Sequence, residues 1–76
     1  MARVAFYTAA GCHLCEQARA ILDAEGVTYR EVDITGVAEL EAAYREWLPV
    51  LEIDGKRAFV YRIPVEALRR KLGTQS

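Results

Sequence analysis

The chain has 76 residues, 53% of them apolar, with 10 basic against 11 acidic residues and a formal net charge of −1. Residues 1–76 therefore make one domain near the small end of what folds alone, with enough apolar content for a packed core rather than a disordered chain. The even charge excludes a nucleic-acid or anionic-membrane surface, which needs a basic excess, and no apolar run approaches the ~20 residues of a membrane span.

The first predicted element is the strand "ARVAFYT", apolar on both faces as a central strand covered on each side would be. The surrounding "MARVAFYTAAG" has the apolar look of an export signal. Its alternation and its direct run into the cysteine motif argue otherwise, because cleavage would remove the first element. The expected location is therefore the reducing cytoplasm.

From Cys12 to about Glu25, Leu14, Ala18, Ile21 and Leu22 recur at helical spacing, opposite Glu16, Gln17, Arg19 and Asp23, and Gly26 supplies a stop. "VTYREVDI" reads as a second strand. Thr35 is the expected cap of a second helix whose apolar side is Val37, Leu40 and Tyr44, ending near Trp47. "PVLEIDGKRAFVY" is a hairpin turning at Asp54-Gly55, the pairing that a two-residue type I′ turn favours.

The last helix runs from Pro64, where a missing N–H costs nothing, to Gly73. Glu66 in its first turn and Arg69, Arg70 and Lys71 towards its end match the helix dipole, and Val65, Leu68 and Leu72 face the core. The order is β-α-β-α-β-β-α. A crossover through a helix pairs the first two strands in parallel, while the closing hairpin is antiparallel. The fold class is α/β, a mixed four-stranded sheet with helices on its faces.

The only two cysteines, Cys12 and Cys15, fall together in "YTAAGCHLCEQA", where the first helix begins. A close pair binds a metal, staples the chain or passes electrons. A staple this local closes a very short loop and restrains the unfolded chain little. Zinc takes four ligands, and the only further soft donor is His13, awkwardly adjacent to Cys12. A closed zinc site within one chain is poorly supported, whereas one shared between two chains stays open.

The redox reading follows from the helix terminus. Its unpaired N–H groups and dipole stabilise negative charge, and only the thiolate attacks a disulfide. The expectation is a Cys12 thiol well below the range of a free cysteine, and a Cys15 one turn deeper, more buried and less acidic. Cys12 then attacks and Cys15 resolves the mixed disulfide. His13 has two readings, a stabiliser of the Cys12 thiolate or an exposed spacer.

"FYTAAGCHLC" after the first strand, "WLPV" before the hairpin and "EIDG" at its turn resemble a glutaredoxin of the thioredoxin superfamily. The nearest likeness is to small bacterial glutaredoxin-like proteins with a "YT..GCHLCE" motif, over nearly the whole chain. The resemblance implies a thioredoxin-like fold and a monomeric thiol-disulfide oxidoreductase serving cell redox homeostasis. Its catalytic residues would be Cys12 and Cys15, acting on protein disulfides or glutathione mixed disulfides. No bound cofactor is implied, only an external reductant, with glutathione a candidate reductant or substrate.

For Pro49 the resemblance implies a cis bond after Leu48, packed against the sulfurs, with the backbone before it pairing with substrate. Without the resemblance a trans bond is expected, since cis is about 5–6% of X-Pro bonds. His13, Trp47, Leu48 and Pro49 are the expected substrate-binding residues, although Trp47 also reads as core, as Tyr44 does.

Several positions depart from the family pattern. Ala9 and Ala10 stand where glutaredoxins usually carry a basic residue, and "AFVYRIP" stands where they have a Gly-Gly step that meets glutathione. Arg57 or Arg62 is either a replacement carboxylate contact or merely solvated. Phe6 stands where thioredoxins bury an acid. Two rival functions remain: a [2Fe–2S] carrier using Cys12 of two chains with exogenous thiols, and a binding module whose cysteines are incidental.

Overall fold

The computed structural model describes residues 3–72. Strand β1 (Val4–Thr8) leads through helix α1 (His13–Ala24) to β2 (Arg30–Asp33). Helix α2 (Ala38–Tyr44) and a 3-10 turn (Arg45–Trp47) precede the hairpin strands β3 (Val50–Ile53) and β4 (Lys56–Val60), and helix α3 (Val65–Leu72) closes the chain. The sheet order is β2-β1-β3-β4. β1 pairs in parallel with β2 and antiparallel with β3, and β3 pairs antiparallel with β4. The predicted element order and strand senses are those observed.

Alternation along β1 divides the molecule into two layers. Phe6 is fully buried, in register with Leu51 on β3 and set edge-on to Tyr29, with ring centroids 5.6 Å apart. Cys15, Ala18 and Leu22 of α1 and Leu68 of α3 are also buried in the single core cluster. The next residue, Tyr7, shows the opposite side of the strand and stacks on Tyr44 of α2 at 4.0 Å with the planes 14° apart. Tyr44 Oη and Tyr7 Oη donate to the two carboxylate oxygens of Glu52, at 2.8 and 3.3 Å. Burial, then the hydrogen bonding with Tyr7 and Glu52, holds the Tyr44 hydroxyl above the usual tyrosine range.

The hairpin turns as its sequence demands. Asp54 and Gly55 take φ of 55° and 82°, the left-handed pair that a type I′ turn needs. Asp54 also ties this turn to the start of β1, its carboxylate accepting from the Arg3 amide at 2.9 Å and its own amide donating to the Arg3 carbonyl at 2.7 Å.

Four expectations are corrected. The second strand is shorter than "VTYREVDI". Thr35 does not cap α2, because Asp33 Oδ1 accepts from the Thr35 amide at 2.9 Å and Glu41 Oε2 reaches back to the Gly36 amide at 2.7 Å. These bonds hold 33–36 as a turn, so the helix begins two residues later, with Val37 at its N-cap. Val37 is consequently exposed rather than on the apolar side. Tyr44 is half-buried, not core, since its hydroxyl must reach the Glu52 carboxylate at the edge of solvent. The predicted helix end at Gly73 lies outside the described residues.

Candidate functional site

The site is built by the way the chain leaves β1. Ala9 is buried, and the Ala10 amide donates to Thr35 Oγ1 at 3.2 Å, so the threonine expected to cap a helix instead anchors the cysteine loop. Gly11 then takes φ +78°, a left-handed backbone that turns the chain into α1. Cys12 is the N-cap of that helix in extended conformation, and its sulfur accepts from the Cys15 amide at 3.1 Å. A sulfur thus fills the role that a serine or aspartate oxygen usually plays at a helix start.

The two cysteines differ in the way their spacing predicts. Cys12 is partly buried and Cys15 is 1% exposed, so the first cysteine lies at the edge of the core and the second within it. They are paired as a disulfide with Cα atoms 5.2 Å apart. His13 is the first residue of α1 and is exposed. The hydrogen bond received by the Cys12 sulfur comes from the Cys15 amide, not from the histidine ring.

The segment entering β3 carries the other residues named from the sequence. The Leu48–Pro49 peptide is cis, and both residues are buried. The Pro49 carbonyl accepts from the Tyr61 amide at 3.0 Å, which fastens the end of β4 to this corner. Trp47, just before, is 41% exposed and lies tilted beside Tyr61 with ring centroids 6.1 Å apart, so it is not a core residue. Tyr61 is the residue that sequence reasoning missed. It is exposed at φ +68°, and nothing about a tyrosine in "AFVYRIP" signals a left-handed backbone.

The two candidate arginines part company. The Arg57 guanidinium sits over the Tyr44 ring at 5.2 Å, on the α2 side of the sheet. Arg62 lines a groove of ≈ 430 Å³ between α1 and the β4–α3 connection, with Leu14, Ile21 and Pro64 among its walls. Among the described residues no group of three or more His, Cys, Asp or Glu is arranged to hold a metal ion, and no helix is long and apolar enough to cross a membrane.

A family model described as "Glutaredoxin-like domain (DUF836)" matches residues 3–73. This chain belongs to the glutaredoxin-like family. Its solved relatives agree. Target protein XcR50 from X. campestris is 33% identical, with 91% of this chain and 93% of that one covered and a TM-score of 0.80. The thioredoxin-like protein BC3987, as its T8A mutant, is 22% identical over 93% of this chain and 100% of its own, with a TM-score of 0.71. Glutaredoxin 1 from Francisella tularensis, complexed with cacodylate, is 19% identical over 95% and 93%, at 0.64.

The last two likenesses are of fold alone, and that fold is thioredoxin-like. No curated protein matches the chain. A Cys12–Cys15 pair at the first helix of a glutaredoxin-like protein supports a redox role. Phe6, the position the resemblance singled out, is fully buried, with the Arg19 guanidinium 5.8 Å from its ring centre.

Proposed function

We propose that this glutaredoxin-like protein is a thiol-disulfide oxidoreductase working in a reducing cytoplasm. One observation carries the reading: a partly buried cysteine caps a helix, its sulfur accepting a backbone N–H, with a second cysteine buried one turn further on. That amide and the helix dipole favour the anionic form of Cys12, and the thiolate is the nucleophile.

In the reduced protein the Cys12 thiolate attacks one sulfur of a substrate disulfide. A Cys12–substrate mixed disulfide forms and the other substrate sulfur leaves as a thiolate that takes up a proton. Cys15, losing its own proton, attacks Cys12 Sγ, closes the Cys12–Cys15 disulfide and releases the second substrate thiol. Two electrons pass from the cysteine pair to the substrate. An external thiol or dithiol, glutathione among the candidates, returns them and regenerates the pair. Leu48 and Pro49 form the fixed wall against which an incoming chain lies, with His13 and Trp47 at its rim.

The test compares reduced wild type with Cys12→Ser and Cys15→Ser on a protein disulfide and on a glutathionylated peptide. Cys12→Ser should be inactive on both. Cys15→Ser should accumulate a covalent adduct with the protein substrate that a dithiol releases. Full activity in Cys12→Ser would end the proposal. A brown anaerobic preparation with an iron-to-chain ratio near one and no turnover would favour the iron–sulfur carrier instead.

A further inference from the structure

We propose that Thr35, oriented by Asp33, is a positioning residue for the cysteine pair: it holds the loop before α1 so that the Cys12 sulfur stays on the Cys15 amide. The inference rests on the oxidoreductase reading above and adds to it a residue outside the cysteine motif. Among the described residues, two hydrogen bonds beyond the strand ladder join the exit of β2 to the exit of β1. The Ile34 amide donates to the Thr8 carbonyl at 2.9 Å, and the Ala10 amide donates to Thr35 Oγ1 at 3.2 Å. The first is backbone to backbone, and any residue at 34 other than proline would make it. The second exists only because residue 35 carries a hydroxyl.

The position of that second bond gives it consequence. Ala10 is exposed, Gly11 follows at φ +78°, and Cys12 comes next as the N-cap of α1. Glycine has more backbone freedom than any other residue, so the turn into the helix is held only as well as the residues on either side of it. On one side the Cys12 sulfur accepts from the Cys15 amide at 3.1 Å. On the other side the anchor is Thr35.

Asp33 makes the threonine an acceptor. Its Oδ1 accepts from the Thr35 amide at 2.9 Å. Hydrogen bonds from that amide, then from the Thr35 hydroxyl, hold the Asp33 carboxyl below the usual carboxylate range. A hydroxyl has one proton, and directing it at Asp33 leaves an oxygen lone pair for the Ala10 N–H. The same turn is closed from its far side by Glu41 Oε2, which accepts from the Gly36 amide at 2.7 Å and is on a side chain paired with Arg45.

The test uses the reduced Cys15→Ser protein, in which Cys12 is the only thiol, and reads its ionised fraction across pH from thiolate ultraviolet absorbance. Thr35→Val keeps the branched shape and removes the oxygen. Ala10 and Thr35 are both exposed, so the freed amide turns to water and circular dichroism should show a folded chain. On the acid side of the midpoint the ionised fraction should fall about two- to tenfold, the worth of one hydrogen bond. Thr35→Ser, which keeps the hydroxyl, should restore it. Asp33→Ala should lower it as well, although loss of a negative charge alone would act the other way. The double variant should lose no more than Thr35→Val alone, because both changes act through one bond. An unchanged midpoint in Thr35→Val, whatever its stability, would overturn the inference, as would additive losses in the double variant or a Thr35→Ser protein that matches Thr35→Val. A Cys12 that ionises like free cysteine and does not react with bis(hydroxyethyl) disulfide would instead overturn the oxidoreductase reading, and the inference with it.

Discussion

Replacing Gly11 by alanine isolates the backbone turn that delivers Cys12 to its helix. Gly11 sits at φ +78°, and a Cβ built there meets no heavy atom within 4 Å. The cost is therefore conformational and not a clash. Left-handed backbone disfavours an L-residue by roughly 1–2 kcal/mol. Removing a glycine from the unfolded chain returns about 0.4–1 kcal/mol of entropy. The balance is a net loss of roughly 0–1.6 kcal/mol. In a domain of this size each kcal/mol moves the midpoint by about 4–8 °C, so thermal unfolding should fall by no more than roughly 13 °C. Circular dichroism of the oxidised variant against wild type measures it. A loss above about 3 kcal/mol would show that the Cβ does not enter open space, and a gain in stability would show that the backbone is not left-handed there.

Other substitutions probe the layers that hold the site. Leu22→Ala empties a fully buried position beneath α1 and should cost about 2–5 kcal/mol in urea denaturation; a loss below 1 kcal/mol would mean that α1 does not pack on Phe6 and Leu51 as described. Tyr44→Phe deletes a hydroxyl donating to the Glu52 carboxylate and should cost about 1–2 kcal/mol, with the ring stack on Tyr7 retained.

Stability should also fall in acid. The Arg69 hydrogen bond holds the Glu25 carboxyl below its usual value of 4.5, and hydrogen bonds from Arg45 and the Gly36 amide do the same for Glu41. Depressed folded-state values mean stabilisation that is complete above the unfolded carboxylate range and lost as pH drops through the lower folded ones. Urea midpoints from pH 6 to 3 should decline, and Glu25→Gln should flatten the decline; an unchanged slope in that variant would refute the Glu25–Arg69 assignment.

What could be read from the residues alone was whatever local chemistry determines. The apolar spacing of Ala18 and Leu22 and the Asp54-Gly55 turn each act within a few residues, and each appears where expected, whereas Leu14, expected on the same stripe, is exposed. The asymmetry of the cysteines was legible for the same reason, since three residues of helix carry one sulfur inward. Long-range partners were not legible. Thr35 is drawn away from its helix by the Ala10 amide, 25 residues back in the chain. Tyr44 is held at half-burial by a carboxylate on β3, and Tyr61 is left-handed because Pro49 and Glu46 fasten it. None of these leaves a mark in the adjacent sequence. The cis bond before Pro49 came from family resemblance, against the trans preference of an isolated X-Pro pair.

The anionic character of the capping sulfur is what every later step requires, and it can be measured directly. Reduced Cys15→Ser protein is alkylated with iodoacetamide across pH, and the rate at Cys12 is fitted to a single titration. The N-cap amide at 3.1 Å and the dipole of α1 predict a midpoint well below that of free cysteine measured alongside. A midpoint at or above the free thiol would contradict the account.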